Sequence, residues 1–553
     1  MLGRQKPQRS LFEAEVWPHR VAEDSIYGRM AAVRDVLFVD DDLAEMYCVE
    51  NGRPSLPPSL MSGVLLLQFH DGVGDEEAVD RLRYDLRWKV GLGLPLDYTG
   101  FDPSSLVVYR KRLLKHGQER YAFDRFLKVA RTAGFLPDKI RQLVDTTPMK
   151  GAGAVQDTYT LLRKGIRRLL KAMGFAVPEK RRGLQANLQR YLESDKKAAI
   201  DWADPQARAK ELGALVRDAE ASLDLATGRA DDDEVRATGW LLTKILGDDV
   251  VAGEDGQAKL GEGVAKDRFI SWTDPEVRHG RKSSSGRWNG DKIEVAEEPV
   301  TELITEVDVV AANAGDGKSL IPMIESVEEH LEVNVEQATG DTAFGGVENR
   351  VECANRGVDL VAPVAPLRDP EVDKSAFQID EAAGTVTCPQ GQTTKQSREV
   401  RDEAGRKVKQ FWFELDKCTA CPLFARCVQG PKRDGKCDGK PERKHERKVG
   451  RTITLNYHEC TLRDARKRQG TAEYREKYRE RPKVERKIAE LMEHGLRQAR
   501  YVGRKKKRLQ ALWTTAAVNL KRLFKLAKGD ATRIKVALGT ISTGRSAVAM
   551  MNA

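Results

Sequence analysis

Three acidic residues in distant parts of the chain have contexts that suit a divalent metal site: Asp145, Asp341 and Glu485. Asp145 ends the strand-like segment 140–145, and Asp341 lies just beyond the alternating segment 332–336, which predicts a second strand. Carboxylate oxygens suit Mg²⁺ or Mn²⁺, and two such ions about 4 Å apart activate an attacking oxygen and stabilise a leaving one. Such a site would suit metal-assisted phosphoryl transfer, but among 84 acidic residues spacing alone does not select these three.

The third carboxylate has a helical context. One face of the predicted helix carries four residues at intervals of three, four and seven: Tyr478, Arg481, Glu485 and Met492. Pro482 complicates this helix, because proline suits a first turn and kinks an interior. An apolar stripe follows it at Val484, Ile488 and Leu491. We therefore expect Glu485 to lie beside a buried seam, with Arg481 one turn earlier to pair with it or with a phosphate.

A cysteine cluster has the spacing of a metal-binding knuckle. Cys418-Thr-Ala-Cys421 is followed by Cys427, and Cys388 lies upstream on a predicted β-hairpin. Four thiolates from a hairpin and a knuckle suit a tetrahedral structural Zn²⁺ site, which would order a polar, Gly-rich segment that has little core. The alternative is free thiols in a reducing cytosol, and Cys437 is an alternative ligand to Cys388 or Cys427.

The charge of the chain favours a polyanionic partner. Its 553 residues include 94 Lys and Arg against 84 Asp and Glu, a net charge of +10 that matters only where it clusters. The clusters fall in the second half, at residues 443–448, 463–468, 475–487 and 500–508. Nucleic acid fits such stretches, whereas a solvated helix face explains any single one equally well. In the last cluster we expect Arg504, Lys505 and Lys506 to contact DNA phosphates.

Several function classes are excluded by what the sequence lacks. No apolar segment approaches the ~18 residues of a membrane span, and the N-terminus has no signal-peptide core, so we expect a cytoplasmic protein. The segment Gly315-Asp-Gly-Lys-Ser319 is similar to a nucleotide-binding loop, but Ala312 stands where that loop needs its first glycine. We therefore expect no bound nucleotide and no membrane partner.

Pattern and composition divide the chain into five segments. In chain order we expect a helical N-terminal DNA-binding domain, a first part of the catalytic core, a cysteine-rich insertion, a second part of the core with the Glu helix, and a flexible tail: 1–125, 126–349, 350–450, 451–528 and 529–553. A helical insertion at about 157–265 interrupts the first part of the core, and a β pattern follows at 268–272. Shorter patterns predict helices at 59–69, 75–89 and 319–331, a strand at 303–310, and a helical region at 471–528 with a basic break at 503–507. The N-terminal helices fit either a helix-turn-helix DNA reader or a plain packing domain.

Three short motifs resemble the acidic motifs of bacterial DDE insertion-sequence transposases: Val144-Asp-Thr-Thr147, Gly340-Asp-Thr-Ala-Phe-Gly345 and Tyr478-Arg-Glu-Arg-Pro-Lys-Val-Glu485. The third is similar to that family's Y-x2-R-x3-E signature. Further similarity lies in Gly52-Arg-Pro-Ser-Leu-Pro-Pro58, Leu65-Leu-Leu-Gln68 and Ser271-Trp-Thr-Asp-Pro275, so the resemblance spans residues from about 30 to 527. One position departs from the signature, because Met492 stands where the family usually has a basic residue.

The resemblance implies an α/β multidomain protein with a ribonuclease-H-like catalytic core, a helical N-terminal domain and a small zinc-ribbon-like insertion. Such a core places two Asp on adjacent central strands and the Glu on a later helix, so Asp145, Asp341 and Glu485 would hold Mg²⁺ or Mn²⁺. The implied activity is cleavage of double-stranded DNA at transposon terminal inverted repeats and joining to target DNA. A homodimer on DNA in the bacterial nucleoid is implied, with Tyr478 and Arg481 positioning the DNA or the Glu helix.

Two alternatives remain open. A transposase-derived protein that binds DNA without cutting it fits the departure at Met492, and a nuclease of the same fold would lack only the joining step. A DNA cleavage assay separates the first alternative from an active enzyme, and a strand-transfer assay separates the second.

Overall fold

The computed structural model describes most of the chain. The described residues are 2–3, 20–48, 54–194, 199–229, 231–253, 256–282, 286–366, 369, 371–380, 382–402, 405–429, 449–455 and 458–551, with side chains up to residue 541. Cys437, the basic stretch 443–448 and the first two residues of the motif that begins at Gly52 lie outside them. The mixture of helices and several sheets makes the chain an α/β multidomain protein, as predicted.

Two compact units divide the chain: Met1–Val335 together with Pro482–Ala553, and Glu336–Arg481. Across the described residues, no helix has both the length and the apolar composition needed to cross a membrane.

In its described residues, the first unit begins with six α-helices: α1 (Ile26–Leu37), α2 (Pro58–Asp71), α3 (Asp75–Tyr84), α4 (Leu86–Leu92), α5 (Ser104–Lys115) and α6 (Tyr121–Thr132). The predicted helix at 59–69 is confirmed by α2, which is buried on every side and ends at Gly72 in the left-handed region (φ 72°). The predicted amphipathic element 75–89 is instead two helices. Asp85 separates them, because its carboxylate accepts the Arg87 N–H and caps α4.

A helical insertion follows the first strand, β1 (Lys139–Lys150). It consists of five helices and a hairpin: α7 (Thr158–Ala172), α8 (Pro178–Arg181), α9 (Ala186–Glu193), α10 (Pro205–Ala226), α11 (Asp233–Asp249), β2 (Val250–Ala252) and β3 (Ala258–Leu260). Their apolar sides share one buried core. The segment 268–272, predicted as β, is not a strand. Phe269 and Trp272 instead pack edge to face into this core, with ring centroids 5.0 Å apart.

Three more strands complete the antiparallel sheet of the first unit: β4 (Arg278–Arg281), β5 (Arg287–Glu298) and β6 (Leu303–Ala311). β1 pairs with one edge of β5, and β4 and β6 pair with successive parts of the other edge. The prediction that the first strand ends at Asp145 was wrong. The five residues after it continue to pair with β5, as far as Lys150 opposite Gly290.

The chain leaves the sheet through α12 (Leu320–Leu331) and enters β7 (Asn334–Thr339), within which the boundary between the two units falls. Asn334 still belongs to the first unit, where its N–H donates to the Asp138 carbonyl oxygen (2.7 Å). Because Asp138 directly precedes β1, the two strands begin side by side.

The second unit combines a parallel strand pair with two small antiparallel sheets. β7 pairs in parallel with β8 (Asp359–Val361) after the intervening α13 (Val347–Asn355). The small sheets are β9 (Gln378–Asp380), β10 (Thr385–Thr387) and β11 (Thr393–Thr394), then β12 (Ser397–Arg401), β13 (Lys407–Trp412) and β14 (Thr452–Thr454). The remaining helices are α14 (Leu415–Thr419), α15 (Glu459–Gln469) and α16 (Ala472–Tyr478).

Three helices return the chain to the first unit: α17 (Pro482–Glu493), α18 (Arg504–Leu526) and α19 (Ala531–Met551). α18 is almost wholly buried and packs against β6, α2 and α6. Where the sequence predicted a flexible tail from residue 529, the described residues 531–551 form α19. Asp530 accepts the Thr532 N–H at the start of α19 (2.9 Å), and Ile534 and Leu538, one turn apart, are fully buried.

Candidate active site

Asp145 lies in the middle of β1, in the first unit. Its side chain is half-buried, between the fully buried Val144 and the half-buried Thr146. The Thr146 N–H donates to Asp145 Oδ1 (2.8 Å). The strand backbone therefore sets the direction of this carboxylate.

The register of β1 and β5 shows which face of the sheet carries Asp145. Glu297 of β5 lies opposite Leu143, two residues before Asp145, so Glu297 and Asp145 share one face. The ammonium group of Lys487 on α17 lowers the pKa of Glu297 against the effect of burial, and α17 packs against both β1 and β5. The helix that carries Glu485 therefore covers the face on which Asp145 lies.

Glu485 lies in the first turn of α17, on its exposed side. Pro482 is the first residue of this helix, a position where its missing N–H costs nothing. The predicted apolar stripe is buried, with Val484 and Leu491 fully enclosed. This stripe packs α17 against β1 and β5 and leaves Glu485 at the border of the packed seam.

Contacts at both ends of α17 set its direction along the sheet. Lys483 Nζ donates to the Pro299 carbonyl oxygen (2.9 Å), one residue past the end of β5. The Lys150 N–H donates to the Arg497 carbonyl oxygen (2.9 Å), beyond the end of the helix. Because β5 runs antiparallel to β1, Pro299 lies beside the beginning of β1 and Lys150 at its end. α17 therefore runs in the same direction as the strand that carries Asp145.

Tyr478 and Arg481 do not share the helix of Glu485. α16 ends at Tyr478 and a new helix begins at Pro482, so the prediction of one continuous helix face was wrong. Proline cannot continue the hydrogen-bonding pattern of the preceding helix, which is the physical reason for the break. Within the second unit the Tyr478 ring stacks on that of Tyr474, with centroids 5.9 Å apart and planes 13° from parallel.

Asp341 follows β7 in a tight turn of the second unit. Its Oδ1 accepts the Ala343 N–H (2.8 Å). Close packing requires both glycines of this motif, because a Cβ at Gly340 would lie 2.8 Å from the Phe344 ring and one at Gly345 would lie 2.3 Å from a backbone carbonyl oxygen. The motif therefore holds Asp341 just beyond the end of its strand.

Two carboxyls of β5, the strand that pairs with β1, are buried, and the sequence analysis missed them: Glu297 on the sheet face of Asp145 and Glu294 on the opposite face. Burial raises the pKa of Glu294 to about 7 and that of Glu297 to about 7. Within the described part of the chain, neither oxygen of Glu297 has a hydrogen-bond partner. A signal was available, because these acids interrupt the apolar strand Ile293-Glu-Val-Ala-Glu-Glu298. Acids in such a strand indicate a face that another element covers.

The basic stretch after α17 begins a helix, where the sequence predicted a break. Arg504 starts α18, and its guanidinium donates to the Glu276 carbonyl oxygen (3.0 Å) and to Asp291 Oδ1 (3.4 Å). Lys505 and Lys506 are exposed. Of the three cations predicted to contact phosphates, Arg504 thus already has protein partners, and the two lysines face solvent.

Lys507, the next residue, is fully buried between two equally buried carboxylates. Its Nζ lies 2.6 Å from Asp274 Oδ2 and 2.5 Å from Asp291 Oδ2. Asp274 belongs to the motif Ser271-Trp-Thr-Asp-Pro275, and Asp291 lies on β5. The ion triad therefore fixes the start of α18 to the sheet.

Two family models match the chain. A model described as a transposase DDE domain matches residues 387–524, and a model described as a transposase domain matches residues 15–112. These two matches support the resemblance of the chain to insertion-sequence DDE transposases. No curated protein and no solved structure matched it in the same comparisons. The matches support a transposase role; proteins of this kind act on DNA and generally use a divalent metal.

The DDE-domain match covers only part of the candidate site. It includes Glu485, most of α18 and the cysteine cluster, whereas Asp145 and Asp341 lie before its first residue. For those two carboxylates of the transposase, the support is the motif resemblance and the local geometry described above.

The four predicted zinc ligands of the transposase line one cavity of about 560 Å³ in the second unit: Cys388, Cys418, Cys421 and Cys427. Burial raises the pKa of the Cys427 thiol, and the other three thiols add to that rise. A Cβ at Gly450 would lie 2.4 Å from Cys418 Sγ, so glycine is needed beside the cluster. In the residues that the structure describes, no group of three or more His, Cys, Asp or Glu has the geometry to hold a metal ion.

Proposed function

We propose that this transposase cleaves double-stranded DNA at the terminal inverted repeats of a mobile element and joins the ends to target DNA by metal-dependent phosphoryl transfer. Asp145, Asp341 and Glu485 are the proposed ligands of Mg²⁺ or Mn²⁺. The observation that carries the proposal is the position of α17, because the helix of Glu485 packs on the sheet face that carries Asp145. Two of the three motif carboxylates therefore lie on elements packed against each other.

A ribonuclease-H-like topology for the core is part of this proposal. In its support, β1, β5 and β6 are antiparallel, β7 begins beside β1, and β8 runs parallel to β7. A core of this type places two Asp on adjacent central strands and the Glu on a later helix. Asp145 on β1, Asp341 directly after β7 and Glu485 on α17 fit that arrangement.

The donor set fits the expected metal, because carboxylate oxygens are the hard ligands that Mg²⁺ and Mn²⁺ prefer. When bound, such ions activate the attacking oxygen and neutralise charge at the leaving oxygen. The chain's own contribution is orientation. The Thr146 N–H donates to one oxygen of Asp145, and the Ala343 N–H donates to one oxygen of Asp341. Glu485 lies in the first turn of α17.

Contacts with DNA are proposed for residues outside the carboxylate site. Tyr478 and Arg481 are proposed to position DNA or the Glu helix. Lys505, Lys506 and Arg504 are proposed to contact phosphates, with the two exposed lysines contributing most, since Arg504 would first have to leave its protein partners. Because the two ends of the mobile element must be cut together, the proposed active form is a homodimer. The proposed location is the nucleoid of the bacterial cytoplasm.

A cleavage assay tests this function. The purified chain is incubated with a duplex that contains the terminal inverted repeat, in Mg²⁺, Mn²⁺, Ca²⁺ or EDTA. We expect nicking at the repeat end in Mg²⁺ and Mn²⁺ only, and joined products once target DNA is added. Binding without nicking in any metal would point instead to a transposase-derived DNA-binding protein, and nicking without joining would point to a nuclease.

A structural zinc site in the second unit is also proposed, held by Cys388, Cys418, Cys421 and Cys427. Their common cavity supports it, as do the N–H groups of Gln392 and Leu423, which point at Cys388 Sγ (3.3 Å) and Cys421 Sγ (3.4 Å). Such donors favour the thiolate, which is the form that binds metal. Cys437 stays an alternative ligand.

Metal analysis tests the zinc site. We expect about one zinc per purified chain, the content of a single tetrahedral site. Replacement of Cys418 by Ser should remove the zinc and lower the thermal midpoint. The matched control is Cys460→Ser, because Cys460 is exposed and lies outside the cluster. A wild-type chain that is free of zinc and melts at the same temperature with and without added zinc would contradict the proposal.

A further inference from the structure

α7, in the helical insertion of the first unit, carries five cations on one face: Arg163, Lys164, Arg167, Arg168 and Lys171. At about 100° per residue these five side chains fall within an arc of about 140°. The opposite face carries the leucines and Ile166 that form the core of the insertion. No acidic residue occurs between Asp157 and Glu179.

This cationic face of α7 costs the helix stability. Arg163 and Arg167, Lys164 and Arg168, and Arg167 and Lys171 are like-charged pairs four residues apart, each destabilising by about 0.2–0.5 kcal/mol. A face that needed only to be solvated would gain from alternating signs. Within the described residues, no carboxylate forms an ion pair with Lys164, Arg168 or Lys171. The described part of the chain therefore supplies no carboxylate to neutralise these three cations.

The basic surface continues past α7 into the next two helices. A Cβ at Gly174 would lie 3.3 Å from Lys180 Nζ, so the α8 lysine folds back onto the end of α7. The guanidinium groups of Arg163 and Arg190 both lie over the Tyr191 ring, at 5.2 and 4.8 Å from its centroid. Residues 158–190 contain nine basic residues (Lys and Arg) and one acidic residue. Residues 205–249, which include α10 and α11, contain six basic and ten acidic residues.

This segregation of charge within one insertion gives it a basic side and an acidic side. A polyanion is attracted to α7–α8 and repelled from α10–α11, which fixes the orientation in which it binds. The chemistry of the surface is that of phosphate recognition: arginine forks and lysine ammonium groups, with few exposed aromatic rings to stack on bases. Such a surface holds a duplex by its backbone and does not read its sequence.

We infer that the basic surface of the insertion (α7 and α8) is a binding site for the phosphate backbone of double-stranded DNA. The inference rests on the proposed function, because it assigns a second contact region to DNA that is held for cleavage. The site is separate from the motif carboxylates and from Arg504, Lys505 and Lys506. It supplies affinity that is independent of sequence and sensitive to salt.

Duplex binding at several salt concentrations tests the inference. The full-length chain is titrated into a labelled duplex of unrelated sequence, and the variant removes three exposed or half-exposed cations of the basic surface: Lys164→Gln, Lys171→Gln and Arg182→Gln. The matched control removes three exposed cations from α10: Arg208→Gln, Lys210→Gln and Arg217→Gln. Both variants lose the same net charge, so a difference between them reports position.

We expect the basic-surface variant to bind at least about tenfold more weakly at low salt, and the slope of log affinity against log salt to fall in magnitude by about 1–3. The control should stay within twofold of wild type. Loss of like-charge repulsion leaves the fold intact, which thermal melting verifies. Wild-type affinity and slope in the basic-surface variant would overturn the inference alone. A wild-type chain that binds no duplex would overturn the proposed function and this inference together.

Discussion

Asp145→Asn is expected to lower the rate of DNA strand cleavage on the order of 1,000-fold or more, while duplex binding stays within twofold of wild type. The amide oxygen of asparagine still accepts the Thr146 N–H, so the local backbone of β1 is kept. What is lost is the negative charge that holds a divalent ion. A loss of about 4 kcal/mol of charge stabilisation in the transition state corresponds to that factor. Gel analysis of a labelled repeat-end duplex in Mg²⁺ measures it.

The matched control for this variant lies in the same sheet. Asp308 of β6 is an acid of the same type whose carboxylate pairs with Arg508 of α18 (3.1 Å). Asp308→Asn removes the same charge from a position outside the motif carboxylates, and cleavage should continue at nearly the wild-type rate. Equal rates for wild type and Asp145→Asn would refute the assignment of Asp145, whereas equal loss in both variants would indicate a general effect of charge or folding.

The elements that the sequence predicted correctly are those whose pattern of apolar residues is regular along their whole length. α2 reads as an apolar run because every side is buried, and β6 and α12 show period-2 and helical patterns that nothing interrupts. The errors fall where tertiary contacts decide. β1 continues past Asp145 because β5 offers pairing partners as far as Gly290, which lies about 150 residues away in the chain. α19 forms because Ile534 and Leu538 find a buried surface.

The candidate site divides in the same way. The helix of Glu485 was predictable from its own residues, because the stripe after Pro482 is local. Pro482 also indicated that this helix is separate from the one that ends at Tyr478. The spacing of Tyr478, Arg481 and Glu485 nevertheless favoured one continuous helix face. The raised pKa values of Glu294 and Glu297 depend on burial by neighbours that are remote in sequence. No local pattern states which side of a strand a later helix will cover.

Lys507 lies in a stretch whose composition predicts a basic surface, yet its side chain is wholly buried. Lys507→Met should lower the free energy of unfolding by about 3–5 kcal/mol, because Asp274 and Asp291 would be left as buried carboxylates without their cation. Arg504 compensates only partly, at 3.4 Å from Asp291. Methionine keeps the volume of the side chain, so the loss is electrostatic. Urea unfolding followed by tryptophan fluorescence measures it.

The pH dependence of this loss distinguishes an uncompensated charge from a packing defect. Burial already raises the pKa of Asp291 against the lowering influence of Lys507, and removal of the lysine raises it further. A carboxyl whose folded pKa exceeds its unfolded pKa favours the folded state at low pH and loses that advantage as pH rises through the folded value. The deficit of Lys507→Met relative to wild type should therefore shrink as pH falls. Lys505→Met, at an exposed position two residues earlier in the same turn, should change stability by less than about 0.5 kcal/mol at any pH. A deficit in Lys507→Met that is equally large at all pH values would show that the buried carboxylates are not its cause.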